Sequence, residues 1–333
     1  MNAPAIGLLS AAGLAIGLSG ATIIGQSADA IDAHVRAAKA AAGDEYTAVF
    51  NRLCAAAEPT EAPTPATQKP GPPDRSQWHA EPVKVFDNLY WVGQTEYSAW
   101  AVATSDGIIL IDTLYGYAVE DEVVGGLKKL GFDPATIKYA IVSHGHADHS
   151  GGARYLQEHF GTRVILSAAD WDLLDRSPEP KPKRDMVATD GQQLTLGATT
   201  LTLYLTPGHT LGTISTLIPV RDRGKSHLVA EWGGTMFNWL QNRRAYITPS
   251  TPDRFWFDTY STSAQRFRDI VKTAGADALI SNHTIYDGSK MKLPAMATRK
   301  PGDPHPYVIG NDSVQRYLTV ADECAKAGRL RLN

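Results

Sequence analysis

Ser143-His144-Gly145-His146-Ala147-Asp148-His149 places three histidines and a carboxylate directly after the apolar run Tyr139-Ala140-Ile141-Val142. A short apolar run reads as a strand, and a strand ending in such a cluster presents its imidazoles and carboxylate to one point. Neutral imidazole with carboxylate suits zinc best among the common divalent ions. The plain alternative is a solvated loop that happens to be rich in histidine. With only ten histidines in 333 residues, four potential ligands in six positions favour the metal.

Two further histidines follow apolar runs. Thr206-Pro207-Gly208-His209-Thr210 comes after Leu201-Thr202-Leu203-Tyr204-Leu205, and Ser281-Asn282-His283 comes after Ala278-Leu279-Ile280. Taken singly, His209 could cap a turn and His283 could sit in a surface loop. An aspartate, Asp112, also closes the early run Ile109-Leu110-Ile111. The His-x-His-x-Asp-His pattern, with these matches in order, resembles the signature loop of the metallo-β-lactamase superfamily. The resemblance extends from about Val83 to about Asp287.

That resemblance implies an α/β fold, the four-layer αββα sandwich, with metal ligands on loops at one edge. It also implies a zinc-dependent hydrolase with one or two Zn2+ ions per chain. His144, His146 and His209 would hold the first ion; Asp148, His149 and His283 would hold the second. Three neutral nitrogens leave a fourth tetrahedral position for water, the mark of a catalytic site. Zinc brings the pKa of such a water to about 7 and polarises a scissile carbonyl. Asp148 is then the catalytic carboxylate, ligating the second ion and holding the remaining proton of the hydroxide nucleophile.

One departure narrows the reading. Many superfamily hydrolases carry a Gly-Asp after a later strand, whose aspartate bridges the two metals. Here the region reads His227-Leu228-Val229-Ala230-Glu231-Trp232-Gly233-Gly234-Thr235-Met236-Phe237-Asn238, with no aspartate. The bridging position falls on Trp232 or Thr235, with Glu231 a remote alternative. The remaining set is that of the third subclass of zinc β-lactamases, and the missing bridge leaves open a mononuclear enzyme. The cysteine ligand of the first two subclasses is also missing.

The elements that must position these residues read as alternating strands and helices. Lys84-Val85-Phe86, Leu89-Tyr90-Trp91-Val92, Trp100-Ala101-Val102-Ala103 and Ile108-Ile109-Leu110-Ile111 are expected strands separated by Asp-Asn and Asp-Gly turns. Val119 to Leu130 is an expected amphipathic helix stopped by Gly131. A second starts at Ser250-Thr251-Pro252, with a hydroxyl cap and Pro at its first position, and runs to about Gly275. Pattern alone reaches only "α/β". An apolar share of 43%, a charged share of 20% and a net charge of −3 fit a globular enzyme with no basic face for nucleic acid.

The expected organisation is an export signal over 1–30, an N-terminal helix over 31–57 and a Pro-rich linker over 58–80. The catalytic domain follows over 81–290, then a C-terminal loop and helix over 291–333 packing on it. Ala3 to Ile24 is apolar and uncharged, and Ala28-Asp29-Ala30 resembles a small-residue cleavage site, although no Lys or Arg precedes the run. A membrane anchor is the competing reading, weakened by the glycines and serines. The expected localisation is therefore periplasmic or secreted. Tyr46, Val49, Phe50, Leu53, Cys54 and Ala57 form one apolar stripe; Val314, Tyr317, Leu318, Ala321 and Cys324 form another. In an exported protein Cys54 and Cys324 suggest a disulfide between the terminal segments, against two buried free thiols.

Substrate identity is the least legible feature. The loop Gln94–Ala99 is expected to overhang the metals. Tyr97, Trp232, Thr235, Asn238 and Tyr286 are the expected pocket residues, giving aromatic walls for a compact substrate. Core packing is the alternative for each aromatic. Lys is absent from the Glu231–Asn238 stretch, so a β-lactam carboxylate would need Thr235, Asn238 or Arg243. The leading expectation is β-lactamase-like opening of a cyclic amide. Others are lactone or ester hydrolysis, hydrolytic dehalogenation of a chlorinated aromatic, and a non-catalytic exported metal-binding protein. Redox chemistry at iron fits poorly, since carboxylates are expected where His146 stands. The expected partner is a small-molecule substrate, without nucleic acid or a stable membrane partner, in a monomer or homodimer.

Overall fold

The computed structural model describes Met1, residues 18–55 and residues 72–332. Most of the expected signal, residues 2–17, and the Pro-rich stretch 56–71 lie outside the described residues.

Two sheets face each other. The first has seven strands in sequence order: β1 (Val83–Lys84), β2 (Leu89–Trp91), β3 (Trp100–Thr104), β4 (Gly107–Ile111), β5 (Ile137–Ile141), β6 (Arg163–Ser167) and β7 (Met186–Ala188). The second runs in the order β12-β11-β10-β9-β8, from β8 (Gln192–Leu196), β9 (Thr199–Leu205), β10 (Ile214–Asp222), β11 (Lys225–Trp232) and β12 (Ala278–Ser281). Antiparallel pairing gives way to parallel between β4 and β5, where a helical crossover is needed to return the chain.

Side-chain alternation in β4 shows why the sheets must be covered on both faces. Ile109 and Ile111 enter the core between the sheets, with Ile141, Ile165, Ile214, Val229 and Ile280. Ile108 and Leu110 point the other way, against Val119, Val123, Leu127 and Leu156. A strand buried on both faces must be apolar throughout, and β4 is.

The outer layer on the first sheet comprises a π-type turn (Val119–Val124) leading into α3 (Gly125–Lys129), then α4 (Ala147–Ser150), α5 (Ala153–Phe160) and α6 (Ala168–Arg176). The N-terminal α1 (Leu18–Ala42) and α2 (Thr47–Cys54) belong to the opposite layer, with α7 (Asn238–Gln241), α8 (Arg243–Tyr246), α9 (Asp253–Ala274) and α11 (Asn311–Leu330); α10 (Ser289–Thr298) packs near β1. The result is the expected four-layer αββα sandwich.

Several boundaries differ from the sequence reading. One helix was expected over 31–57, but α1 and α2 are separate, with Gly43 in the left-handed region (φ +50) just after α1. That break lets α2 turn and pack on α11. Ala28-Asp29-Ala30 lies within α1. Pro252 is the cap of α9 rather than its first residue, and no side chain caps that end. Gly275 ends α9 as expected, at φ +72, its N–H donating to Val271 and Lys272 carbonyls.

Cys54 and Cys324 form a disulfide, their Cα atoms 4.7 Å apart, joining α2 to α11. Tyr46, Val49 and Leu53 pack with Tyr317, Leu318 and Ala321 around it.

Candidate metal centre

The chain leaves the first sheet at β5 and folds straight into the ligand loop. Ile214 N donates to Ser143 O at 2.8 Å, tying that loop to the head of β10. His144 and His149 are fully buried, while His146 and Asp148 lie at the floor of an open cleft. His209 arrives on the turn after β9, and His283 on the turn after β12. All six expected ligands therefore meet at one edge of the sandwich.

They fall into two groups. His209 Nε2 lies 3.1 Å from His144 Nε2 and 3.2 Å from His146 Nδ1. His149 Nε2 lies 3.2 Å from His283 Nε2 and 3.1 Å from an Asp148 oxygen, and that oxygen is 3.5 Å from His283 Nε2. The other ring nitrogen of His144, His146, His149 and His209 has a partner in each case. His144 Nδ1 donates to Gly233 O at 2.8 Å and His209 Nδ1 donates to Met236 O at 2.7 Å. Since a carbonyl only accepts, both donors carry protons and both converging Nε2 atoms present lone pairs. Two lone pairs 3.1 Å apart repel unless a cation lies between them, so this donor set fits a metal ion.

The electrostatics of the metal-free groups agree. Burial, aided by the neighbouring imidazoles, holds His144 and His209 well below the usual histidine range. Burial also lowers His146 to about 4 and His283 to about 3. These four imidazoles are therefore neutral at neutral pH, as metal ligation requires. His149 is the exception: burial opposes its charge, but the flanking Asp148 and Asp112 carboxylates prevail and raise it to about 10. For Asp148, burial pulls upward, yet His149 and the other imidazoles hold its carboxyl well below the usual range.

Supports that the sequence reading did not assign complete the centre. Asp112, in the left-handed region at φ 60, accepts from Ser143 N at 2.7 Å, Ser143 Oγ at 2.9 Å and His149 Nδ1 at 2.9 Å. Its position at the end of an apolar run was the available signal. Asp170 in α6 accepts from Gly145 N (2.7 Å), Thr210 Oγ1 (2.8 Å) and Gly212 N (3.0 Å), joining the two loops that carry His144, His146 and His209. Ser167 caps α6 by accepting from Asp170 N, and that Ser-x-x-Asp spacing was the one sequence trace. Tyr246 Oη lies 2.5 Å from His146 Nε2, fixing that ring from α8; nothing in its sequence neighbourhood marks it.

The missing bridge has a structural counterpart. Trp232 and Thr235 do not reach the cleft, which corrects their expected place in the substrate pocket. Trp232 points to the helical side of β11, its indole N–H donating to Tyr260 Oη at 3.3 Å, and the Thr235 hydroxyl pairs with Tyr317 Oη at 2.8 Å. Strand parity is the reason: Val229 and Glu231 face the inter-sheet core, so Ala230 and Trp232 face α9 and α11. Phe237 and Trp239 are likewise core residues. Glu231 is buried between the sheets with both oxygens unpaired; burial, then the Asp112 charge, raises it well above the carboxylate range. At Gly234 a Cβ would stand 2.5 Å from His209 Cβ, so no side chain fits there.

Tyr97, Asn238 and Tyr286 do line the cleft, about 350 Å³ in volume, together with Arg52, Met236 and Gln241. The loop Gln94–Ala99 is anchored on either side of His283, since Ser98 N donates to Asn282 O at 2.9 Å and Thr284 N to Glu96 O at 3.1 Å. Tyr97 packs edge-on against His283, ring centres 5.0 Å apart. Asn238 Nδ2 sits 3.2 Å from His209 Nε2 and 3.4 Å from His146 Nδ1, above the first group. A neighbouring groove of about 450 Å³, lined by Ala80, Val83, Trp91 and Leu293, holds none of the ligands.

Residues 92–223 match the family model of the metallo-beta-lactamase superfamily. The chain is 30% identical over 154 residues to a hydroxyacylglutathione hydrolase of Acidiphilium cryptum, covering 46% of this chain and 54% of the relative. It is 27% identical over 185 residues to the N-acyl homoserine lactonase AttM of Rhizobium johnstonii, covering 51% and 67%. The chain thus spans about half the length of the first curated relatives it matches. Among solved structures, it resembles BJP-1, a subclass B3 metallo-beta-lactamase of Bradyrhizobium japonicum, with TM-score 0.64 and 25% identity over 75% of this chain and 94% of that one.

Proposed function

We propose that the chain is a zinc-dependent hydrolase of the metallo-β-lactamase superfamily that opens a cyclic amide. The observation that carries this reading is that His144, His146 and His209 converge in one group and Asp148, His149 and His283 in another beside it, both open to one cleft. The resemblance to BJP-1 across nearly all of that protein supports it. Bound zinc would supply a water acidic enough to ionise near neutral pH and a Lewis acid for the carbonyl.

The chain's own residues supply the rest. Asp148, kept charged by its imidazole neighbours, faces both groups from the cleft floor and is placed to hold the proton of an attacking water. Asn238 Nδ2, above the first group, is placed to donate to the oxyanion that forms from the carbonyl. Tyr97 and Tyr286 wall the cleft and exclude water from a compact ring. The second reading, hydrolysis of a lactone or other ester by the same machinery, draws support from the lactonase and hydroxyacylglutathione hydrolase relatives. A complete ligand set argues against a non-catalytic metal-binding protein.

Initial rates of the zinc-loaded protein on a carbapenem and a cephalosporin, with and without chelator, test the proposal. Chelator-sensitive efficiency of about 10⁴ M⁻¹s⁻¹ or better is expected. A background rate on both, with turnover of a lactone, would replace the first reading by the second. Export to an oxidising compartment is part of the proposal, supported by the Cys54–Cys324 disulfide. Among the described residues no helix is long and apolar enough to cross a membrane.

A further inference from the structure

One charged group in the cleft is used neither by the ligands nor by their supports. Arg52 comes from α2, in the N-terminal extension, yet it lines the cleft with Tyr97, Asp148, Asn238, Gln241 and Tyr286. It stands within hydrogen-bonding reach of the Tyr286 hydroxyl on the same cleft wall. Two other cations on bordering elements already have carboxylates, Lys290 with Glu96 and Arg243 with Asp253. Among the described residues no ion pair takes Arg52.

Its position is fixed from behind. Val49 and Leu53 are buried against α11, and the Cys54–Cys324 disulfide lies two residues further along. Arg331 Nη1 donates to Cys54 O at 2.8 Å, holding the same end of α2. An exposed cation so anchored at the mouth of a cleft is preorganised for an anion arriving from solvent.

We propose that Arg52 is a specificity residue of this cleft that docks a carboxylate carried by the substrate, at a distance from the reacting bond. The inference rests on the hydrolase reading of the same cleft and narrows its substrate class to anionic compounds. Guanidinium suits this task because its planar fork meets a carboxylate with two parallel hydrogen bonds. The ordinary alternative is that Arg52, in the last turn of α2, only offsets the helix dipole. That role is indifferent to the charge of a ligand, so the two separate by experiment.

The probes are captopril and its methyl ester, a thiol to engage the metal with or without a free carboxylate. Their binding to the zinc-loaded full chain is measured by calorimetry. Wild type is expected to favour the acid by about tenfold or more, and Arg52→Ala to bring acid and ester within about twofold of each other. Arg52→Lys should restore part of the preference. On any carboxylate-bearing substrate that is turned over, Arg52→Ala should raise KM with kcat nearly unchanged. An acid-to-ester preference that survives Arg52→Ala, or is missing in wild type, overturns the role of Arg52 while leaving the hydrolase reading intact. Failure of both thiols to bind zinc-loaded protein overturns the two together.

Discussion

His149 Nδ1 donates to Asp112 Oδ2 across 2.9 Å, and both residues are buried. The bond sends the His149 proton away from the cleft, leaving Nε2 for a metal. Asp112→Asn keeps an acceptor for Ser143 N but can place an amide N–H opposite His149 Nδ1, driving the ring toward the tautomer with Nε2 protonated. We expect about 10–100-fold weaker zinc binding at the second group and unchanged binding at the first. Titration against a chromophoric chelator checks it, and two unaltered affinities would remove Asp112 from this role.

The two groups should respond differently to pH. His144, His146 and His209 are depressed, His146 to about 4, so each is neutral above its own lowered value. Between about pH 5.5 and about pH 7.5 no proton competes for the first ion, and its affinity should stay flat. His149, raised to about 10, holds a proton throughout that window which metal binding must expel. Affinity at the second group should therefore rise with pH, by about tenfold per unit. Parallel slopes for both ions would contradict the assignment.

Removing a ligand of the first group gives a sharper result. His209→Ala should abolish binding of the ion held with His144 and His146, because two imidazoles cannot replace three. Metal content by elemental analysis is the readout. Asp148→Asn should lower kcat by about 10² or more with circular dichroism unchanged.

Asp170 is a structural pin rather than a ligand. Its carboxylate satisfies three donors on the two ligand loops, so Asp170→Ala leaves them without partners in a buried place. A loss of about 3 kcal/mol or more is expected, with weaker retention of the first ion. Thermal unfolding and chelator challenge measure the two effects.

The candidate ligands are legible because they are chemically rare and cluster where apolar runs stop. His144, His146 and His149 announce themselves by spacing, and His209 and His283 follow once strand ends are sought. The layering was legible through the family resemblance, whereas periodicity reached only a mixed fold. What escaped depends on contacts between distant segments. Asp170 and Tyr246 act on residues far along the chain, and no local pattern encodes that. Trp232 was misplaced although strand parity held the answer: the inward course of Val229 already turns Trp232 toward the helices. The break at Gly43 shows the same limit, since an apolar stripe does not reveal where a helix bends.

Replacing both Cys54 and Cys324 by Ser should cost about 2–5 kcal/mol of stability. Both serines would lie in the packed interface between α2 and α11, loosening the extension before the sandwich. Denaturant unfolding of the double variant beside the oxidised wild type would show this as a separate early transition.

The same bond makes the catalytic sandwich part of a covalent ring, since its two cysteines are 270 residues apart in sequence. A protease that cuts one peptide bond inside that ring yields two pieces that stay tethered, migrating as one species until a reductant is added. Damage to a surface loop then need not disperse the ligands, because neither fragment can diffuse away from its complement.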